Sequence, residues 1–572
     1  MVFLEKEKIN YFKTFWHLCR GYWKSEEKWK AVGLLGVVIA LNLAAVYLLV
    51  LLNDWYNTFY NALQGYEEDS FLPLVGQFTG LAMLYIIIAV YAIYIRQMLQ
   101  IKWRSWMTDR YLTAWLADQS YYRLQVLGSD TDNPDQRISE DINQFVSLSL
   151  QLFVGLLKEL TTLGAFSVVL WNLSGAFTVP IGGHEFVIYG YMFWFSLIYS
   201  VLGTGAAHLV GRKLIGLDFD QQRYEADFRF NMMRVRENSE SIAFYRGEAP
   251  EGAGFRERFG RVIGNFWQLM RQTKLLNFYI NGYAQLAVIV PIVMAAPQYF
   301  AGTIALGGFM QTLSAFGRVQ DALSYFVTSY DSIAQLAAVI RRLGTFSRHM
   351  EEVSEVANGV SRKESGGETL ALRELTVALP DGRELVQGLE ADFAAGSRVL
   401  VMGSSGCGKS TLLRTLAGIW PYGKGGLALP AEQVLFLPQR PYLPLGSLEQ
   451  ALSYPGEVTA DRETLQGVLE KVGLASLTDK LGETDDWSRI LSLGEQQRLA
   501  FARVLLAKPL WVFLDEATSA LDEDREQEMY DLLKDELPDL GIMSVGHRST
   551  LLRQHEEKLL LDGQGGWQLS AI

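Results

Sequence analysis

Residues 403–411 read Gly403-Ser404-Ser405-Gly406-Cys407-Gly408-Lys409-Ser410-Thr411, directly after the short apolar run Val399–Met402. A strand, a glycine-rich loop and a helix start in this order predict a phosphate-binding loop, because glycines let backbone N–H groups close around phosphate oxygens. The helix N-terminus adds positive potential at the same place. We expect Lys409 to reach the β- and γ-phosphates of a nucleotide and Ser410 to offer its hydroxyl to Mg²⁺.

A second apolar run, Leu510–Leu514, ends in Asp515-Glu516. The run has the composition of a buried parallel strand. Ligands of open α/β sheets bind at the carboxyl ends of such strands. We therefore expect Asp515 to hold Mg²⁺ and Glu516 to polarise the water that attacks the nucleotide.

Between these elements lies Leu491-Ser492-Leu493-Gly494-Glu495-Gln496-Gln497-Arg498, which resembles the signature motif of the ATP-binding cassette (ABC) family. The resemblance implies that Ser492 and Gly494 contact ATP bound to the opposite subunit. Leu493 and Glu495 depart from the commonest form of the motif.

Other family motifs follow in the family's order. Gln439, after the strand Val434–Leu437, resembles the Q-loop glutamine, which the resemblance places at the nucleotide and Mg²⁺. Ser519-Ala520-Leu521-Asp522 resembles the D-loop, and His547, after Ile542–Val545, resembles the catalytic switch histidine. Leu379 occupies the position where many relatives carry an adenine-stacking aromatic residue.

Lys and Arg are absent from three long windows of the first 360 residues: 31–95, 159–211 and 275–317. Each window has room for two membrane helices of about 20 residues. Six apolar runs fit this count: Ala31–Leu52, Val75–Ile95, Leu148–Trp171, Phe186–Val210, Asn277–Ala301 and Leu306–Thr328. A large soluble protein with buried core helices would not explain such windows. The pattern predicts six transmembrane helices.

Loops rich in Lys and Arg stay in the cytosol, so both termini are predicted to be cytosolic. The external loops are then expected near 53–74, 172–185 and 298–306. Lys158 and Arg318, inside apolar runs, should face the bundle interior or its cytosolic end. Asp132-Asn133-Pro134 has the chemistry of a capped helix start. We assign residues 1–353 to a membrane domain, 354–368 to a linker and 369–572 to an α/β ATPase domain.

The 572 residues carry a net charge of −12, and 361–572 hold 21 Lys and Arg against 32 Asp and Glu. An acidic C-terminal part argues against a nucleic-acid partner. Cys19 and Cys407 are too few for a disulfide framework or a multi-cysteine metal site.

Within the family, Asn133–Ile138 and Glu240–Tyr245 resemble motifs of the membrane domain shared by the SbmA/BacA group and the peroxisomal fatty-acyl transporters. Asn53-Asp54-Trp55 is similar to the bacterial YddA-like branch. One ATPase domain and one membrane domain form half a transporter, so the resemblance implies a homodimer of the exporter-type fold in a bacterial inner membrane. The resemblance implies that this homodimer uses ATP and Mg²⁺, with Lys409, Glu516 and His547 as catalytic residues.

The resemblance to the SbmA/BacA group suggests a solute and a direction of transport, whereas no residue of the sequence identifies either. Import of a hydrophilic solute, such as a peptide or cobalamin, is the preferred interpretation. An exporter or flippase of acyl-CoA or lipid-like cargo is the alternative. A membrane-anchored ATPase that acts as a regulator or channel is the third class, and vectorial transport in sealed vesicles would separate it from the other two.

Overall fold

A computed structural model describes residues 10–126, 133–181, 184–355, 359–364, 369–430 and 433–572. The chain divides into two compact units. The first, here the membrane unit, comprises Met1–Thr113 and Asp132–Ser347; the second, here the nucleotide unit, comprises Ala114–Thr131 and Arg348–Ile572. Each unit is described separately below.

Up to residue 355 the described chain is almost entirely helical. The elements are α1 (Tyr11–Trp23), α2 (Lys28–Gln64), α3 (Glu68–Leu116), α4 (Ser120–Val126), α5 (Pro134–Gln136), α6 (Ile142–Ser174), β1 (Ala176–Ile181), β2 (His184–Tyr189), α7 (Tyr191–Glu237), α8 (Ser239–Tyr245), α9 (Glu248–Phe300), α10 (Leu306–Thr328) and α11 (Tyr330–Glu355). One turn of π-helix, Arg137–Asp141, joins α5 to α6.

Among the described residues, five helical stretches are long and apolar enough to cross a bilayer. They are Lys28–Gln64, Glu68–Val126, Pro134–Ser174, Tyr191–Glu237 and Glu248–Phe300. The sixth predicted run coincides with α10, which is a helix but not one of the five. Helix α10 contains the polar residues Gln311, Thr312 and Gln320, so it is less apolar than a helix surrounded by lipid alone would be. These three side chains are buried against the neighbouring helices. The sixth transmembrane helix therefore stays a prediction.

Two details of the membrane half differ from the sequence-based expectation. The fourth helix begins at Tyr191 rather than Phe186, because β1 and β2 pair as an antiparallel hairpin before it. Short apolar runs do not distinguish a strand from a helix by composition alone. The helix start at Pro134 was correctly predicted, but the side chain of Asn133 makes no capping hydrogen bond. Asp132 lies outside the described residues.

Helix α10 is the centre of the membrane unit. It packs against α2, α6, α7 and α9. Ala315, Phe316 and Val319 of α10 are fully buried, in one apolar cluster with Phe166 and Leu170 of α6. This cluster is the core around which the other helices are arranged.

A hydrogen-bonded ladder joins α2 to α10 near the end of α2 that leads into α3. Gln311 donates to Asp54 and accepts from Asn57, with N–O distances of 2.8 Å for both bonds. Asn61 donates to Asn57 at 2.7 Å and accepts from the backbone N–H of Gly307 at 2.8 Å. A side chain at position 307 would collide with the carbonyl of Asn57, so the two helices approach closely here.

A buried charge cluster joins the start of α6 to α11. The carboxylate of Asp141 has a side chain only 3% exposed. It accepts from Arg342 at 2.6 and 2.8 Å and from Arg137 at 2.7 Å. Two guanidinium groups therefore neutralise one carboxylate inside the membrane unit.

The nucleotide unit is an α/β domain. Its elements are β3 (Val360–Glu364), β4 (Leu370–Ala378), β5 (Glu384–Phe393), β6 (Arg398–Gly403), α12 (Lys409–Leu416), β7 (Gly423–Leu429), β8 (Val434–Leu437), β9 (Gly446–Ser447), α13 (Leu448–Ser453), α14 (Arg462–Lys471), β10 (Thr484–Asp485), α15 (Trp487–Ile490), α16 (Leu493–Ala507), β11 (Trp511–Asp515), α17 (Glu523–Glu536), β12 (Gly541–Val545), β13 (Glu557–Leu561) and β14 (Trp567–Ala571). Strand β3 lies within the segment that the sequence assigned to a linker.

Two sheets form the framework of this unit. The larger has the strand order β14-β13-β6-β12-β11-β8, parallel except for β14 at its edge. The smaller has the order β3-β7-β4-β5. Since β6, β8, β11 and β12 run parallel in one sheet, their carboxyl ends share one edge. Except for the signature residues Ser492 and Gly494, the predicted site residues lie at the ends of these four strands or directly after them.

Candidate nucleotide site

The phosphate-binding loop connects the central strand β6 to α12. Gly403, Gly406 and Gly408 have positive φ values of 150°, 81° and 107°. A Cβ at Gly408 would lie 2.9 Å from Leu385, so both conformation and space require glycine there. The loop therefore keeps the open backbone that phosphate binding needs. The other predicted residues lie where expected: Ser404, Ser405 and Cys407 in the loop, and Thr411 in the first turn of α12.

The ammonium group of Lys409 lies over this loop. It donates to the carbonyls of Gly403 and Ser404 at 2.9 and 3.0 Å, and the residue is only 6% exposed. The backbone of the loop thus holds the charge in place beside the turn that precedes α12.

The hydroxyl of Ser410 donates to Asp515 Oδ1 at 2.9 Å, which brings the start of α12 to the end of β11. Burial raises the pKa of the Asp515 carboxyl, against the hydrogen bond from Ser410, which lowers it. A bound cation would favour the charged form of this carboxylate. Hydroxyl, carboxylate and amide oxygens are ligands that Mg²⁺ accepts, so Ser410, Asp515 and Gln439 fit that ion chemically.

Two further predicted residues, Gln439 and His547, lie next to the carboxylate of Glu516. Gln439 Nε2 donates to Glu516 Oε2 at 3.0 Å. His547 Nε2 lies 3.5 Å from the other carboxylate oxygen, Oε1. Glu516 itself has φ of 49°, a conformation that non-glycine residues seldom adopt, and a hydrogen bond from its N–H to Val545 holds it there. Strained backbone of this kind concentrates at functional sites.

The signature residues form a separate group at the start of α16. Ser492 and Glu495 make a capping box, in which the Ser492 N–H and hydroxyl both donate to Glu495, at 2.8 and 2.7 Å. The hydroxyl bond holds the pKa of the Glu495 carboxyl below its usual range. Among the described residues, no hydrogen bond joins Ser492 or Gly494 to the phosphate-binding loop. The polar contacts at this site thus join Ser410 to Asp515, and Gln439 and His547 to Glu516, and none of them involves Ser492 or Gly494.

Sequence reasoning missed two polar residues that touch this site. Gln497 is fully buried on α16, and Arg548 follows His547 directly. Both bond to the backbone of residues 519–521. Gln497 lies within the signature string and just before a largely apolar stretch of the same helix, and that position was the available signal.

Leu379 lies at the turn between β4 and β5. Its N–H donates to the carbonyl of Arg383 at 2.8 Å, and its side chain packs against the core formed by the two sheets. The leucine therefore presents an apolar surface at this turn and no aromatic ring.

Comparison with known proteins assigns the fold to a family. Residues 18–300 match the model of ABC transporter transmembrane region 2, and residues 386–519 match the ABC transporter model. The inner membrane ABC transporter ATP-binding protein YddA of Escherichia coli is 34% identical, over 93% of this chain and 94% of YddA. The chain belongs to the ABC transporter family. The predicted half-transporter, with a membrane region and an ATPase domain, is confirmed.

Two other ABC transporters, one known by its sequence and one by its structure, are similar to the chain over nearly its whole length. The lysosomal cobalamin transporter ABCD4 of Mus musculus is 28% identical over 96% of this chain and 94% of that protein. The solved structure of a bacterial Atm1-family ABC exporter with ATP bound superposes with a TM-score of 0.68 at 18% identity, covering 95% of this chain and 94% of the exporter chain. The exporter-type fold is therefore confirmed, and the chain is a membrane protein whose ATPase domain couples ATP hydrolysis to transport.

Proposed function

We propose that two copies of this chain form a transporter in a bacterial inner membrane, which imports a hydrophilic solute and is powered by ATP and Mg²⁺. In each subunit Lys409 binds the phosphates, while Ser410, Asp515 and Gln439 hold the ion. Glu516 acts as general base for the attacking water, and His547 orients it.

The signature residues Ser492 and Gly494 complete the site of the partner subunit. Among the described residues they make no hydrogen bond to the phosphate-binding loop of their own chain, which supports this assignment. The positive end of α16 would then face the γ-phosphate of the partner's ATP. Half-transporters of this family act in pairs, which favours a second identical subunit.

The proposal that the solute is hydrophilic rests on a group of charged side chains deep in the membrane unit. Lys158 lies about 24 Å along α6 from its end at Ser174, and Arg318 about 18 Å along α10 from its start at Leu306. Asp321 lies within electrostatic reach of both. These depths fall within a hydrocarbon core of about 30 Å.

Charges at such depth avoid lipid and face protein or water-filled cavities. Arg318 and Asp321 are exposed in the single chain, and the Lys158 side chain is 40% exposed. We infer that in the homodimer they line an aqueous route. A route with basic and acidic groups suits a hydrophilic solute better than an acyl chain. Because the relative ABCD4 is named as a cobalamin transporter, cobalamin is a suitable probe.

Inverted membrane vesicles preloaded with radiolabelled cobalamin or a labelled short peptide test this proposal. Import in the cell should appear as ATP-driven loss of label, with no loss in the Glu516→Gln variant. Arg318→Gln should slow the loss, whereas Arg261→Gln, a charge exposed on α9 and paired with Glu257, should not. ATP-driven accumulation of label would establish an exporter and overturn the proposed direction.

The proposed orientation has its own test on one helix. Glu68 and Asp109 are exposed residues about 60 Å apart on α3. In a cysteine-free background, a cysteine at position 68 should react with an impermeant thiol reagent added to intact cells, and one at position 109 should not. The reverse labelling would place the termini outside.

A further inference from the structure

Gln497, a side chain of α16, contacts both loops flanking Glu516. Its Nε2 donates to the carbonyl of Gln439 at 2.9 Å and reaches Ser519 Oγ at 3.2 Å, and its Oε1 accepts from the N–H of Ala520 at 3.0 Å. A carbonyl needs a donor and an N–H needs an acceptor, so these partners fix the orientation of the amide. Each of these three hydrogen bonds joins the Gln497 side chain to a loop rather than to α16 itself.

Each of the two loops is hydrogen-bonded to Glu516. Gln439 bonds to Glu516 through its side chain and to Gln497 through its carbonyl. Ser519 is three residues beyond Glu516 and donates its N–H to the Glu516 carbonyl at 3.0 Å. Gln497 therefore sets the distance between the Gln439 backbone and the segment that carries Glu516.

Arg548 holds the same segment, Ser519–Leu521, from another side. It donates to the carbonyls of Leu521 and Ser519 at 2.8 and 3.1 Å. The guanidinium is positioned in turn by Glu526, which lies 3.7 Å away and is 2% exposed. Gln497 accepts from the Ala520 N–H, and Arg548 donates to the carbonyls of Ser519 and Leu521, so two side chains hold three backbone polar groups of the segment.

We propose that Gln497 is a positioning residue for ATP hydrolysis: it holds the Gln439 loop and the Ser519–Leu521 segment in register with the signature helix, with Arg548 as its counterpart. The proposal rests on the roles proposed above for Glu516 and Gln439. Because Ser492 begins the same helix, Gln497 also ties the residues around one subunit's Glu516 to the residue offered to the other subunit's ATP.

The test is Gln497→Met in the purified full-length protein, because methionine keeps the length and volume of glutamine and removes its hydrogen bonds. Small displacements of reacting groups cost up to about a hundredfold in rate, so kcat for ATP should fall about ten- to a hundredfold. The affinity for a fluorescent ATP analogue should stay within about twofold, since the phosphate-binding loop is held by β6 and its neighbours.

Gln496→Met is the matched control. Gln496 is the adjacent residue of α16, is 4% exposed and also donates two hydrogen bonds, at 2.8 Å to Ser488 and Leu491. Among the described residues, its side chain makes no hydrogen bond to either loop beside Glu516. If Gln497 only stabilises the fold, the two variants should lose thermal stability and kcat alike. An equal fall in kcat, or wild-type kcat in Gln497→Met, would overturn the proposal.

Ser519→Ala gives a second arm that does not depend on the folding of a core variant, because Ser519 is exposed. It removes one neutral hydrogen bond to Gln497 and should lower kcat about two- to tenfold; no change would contradict the proposal. Glu516→Gln is measured alongside. An active Glu516→Gln would refute the role of Glu516 itself, whereas an inactive Glu516→Gln with an active Gln497→Met would refute only the positioning role.

Discussion

Glu516→Gln should abolish hydrolysis and preserve ATP binding. The amide has the same shape as the carboxylate, so it can still accept from Gln439 at the 3.0 Å site and place its NH₂ group 3.5 Å from His547 Nε2. The strained backbone at this position also tolerates both residues equally, since they branch alike. What is lost is the acceptor for the proton of the attacking water, which is worth about 10²- to 10⁴-fold in rate.

Two measurements on the full-length protein check this prediction: steady-state phosphate release and equilibrium binding of a fluorescent ATP analogue. We expect kcat to fall by at least about a hundredfold and the dissociation constant to change by less than about twofold. With ATP and Mg²⁺, the variant should also accumulate as a closed dimer, detectable by crosslinking. Hydrolysis within about threefold of wild type would refute the assignment of Glu516 as general base.

Lys409→Ala should act in the opposite way and weaken ATP binding about ten- to a hundredfold, because it removes a charge-assisted contact; unchanged affinity in the same binding assay would contradict this. Asp141→Asn should lower the stability of the protein by about 3 kcal/mol, since it leaves two arginines without their buried carboxylate, whereas Asp392→Asn, in an exposed pair with Arg373, should cost under about 1 kcal/mol by thermal unfolding. Burial lowers the pKa of His555 to about 4, from 6.5 when unfolded, so its contribution of about 3 kcal/mol is full above pH 6.5 and is lost as the pH falls towards 4. His555→Gln should reduce the fall in unfolding temperature between pH 7 and 5. If the unfolding temperature of the variant falls as steeply with pH as that of the wild type, His555 is not the group responsible.

The ATPase domain could be predicted from sequence because its chemistry lies at strand ends. Val434–Leu437 was predicted as a strand and is β8, and the run before Asp515 is β11. Each strand is a continuous apolar run, with Asp515 directly after one run and Gln439 two residues after the other, so composition alone locates it. The order of the strands in the sheet then brings their ends together.

Other features of the site could not be predicted, because they depend on backbone groups that carry no sequence signal. Gln497 bonds to the backbone of Gln439 and Ala520, 58 and 23 residues away, and backbone groups exist at every position. The hairpin of β1 and β2 was missed because the apolar character of Phe186–Tyr189 fits a helix and a strand equally well.

The ladder between α2 and α10 has a consequence for how substitutions in the membrane unit should be judged. Apolar helices in a bilayer gain little from one apolar contact over another, since lipid tails are as apolar as leucine. Side chains that bond to specific partners at a fixed height instead set the register: a shift of one turn, about 5.4 Å, would leave Asn57, Asn61 and Gln311 all facing the wrong groups. Replacing these amides by leucine would make both helices more hydrophobic and yet remove what decides how they align. In this unit, hydropathy measures whether a helix enters the membrane, and the few polar side chains determine its rotation once there.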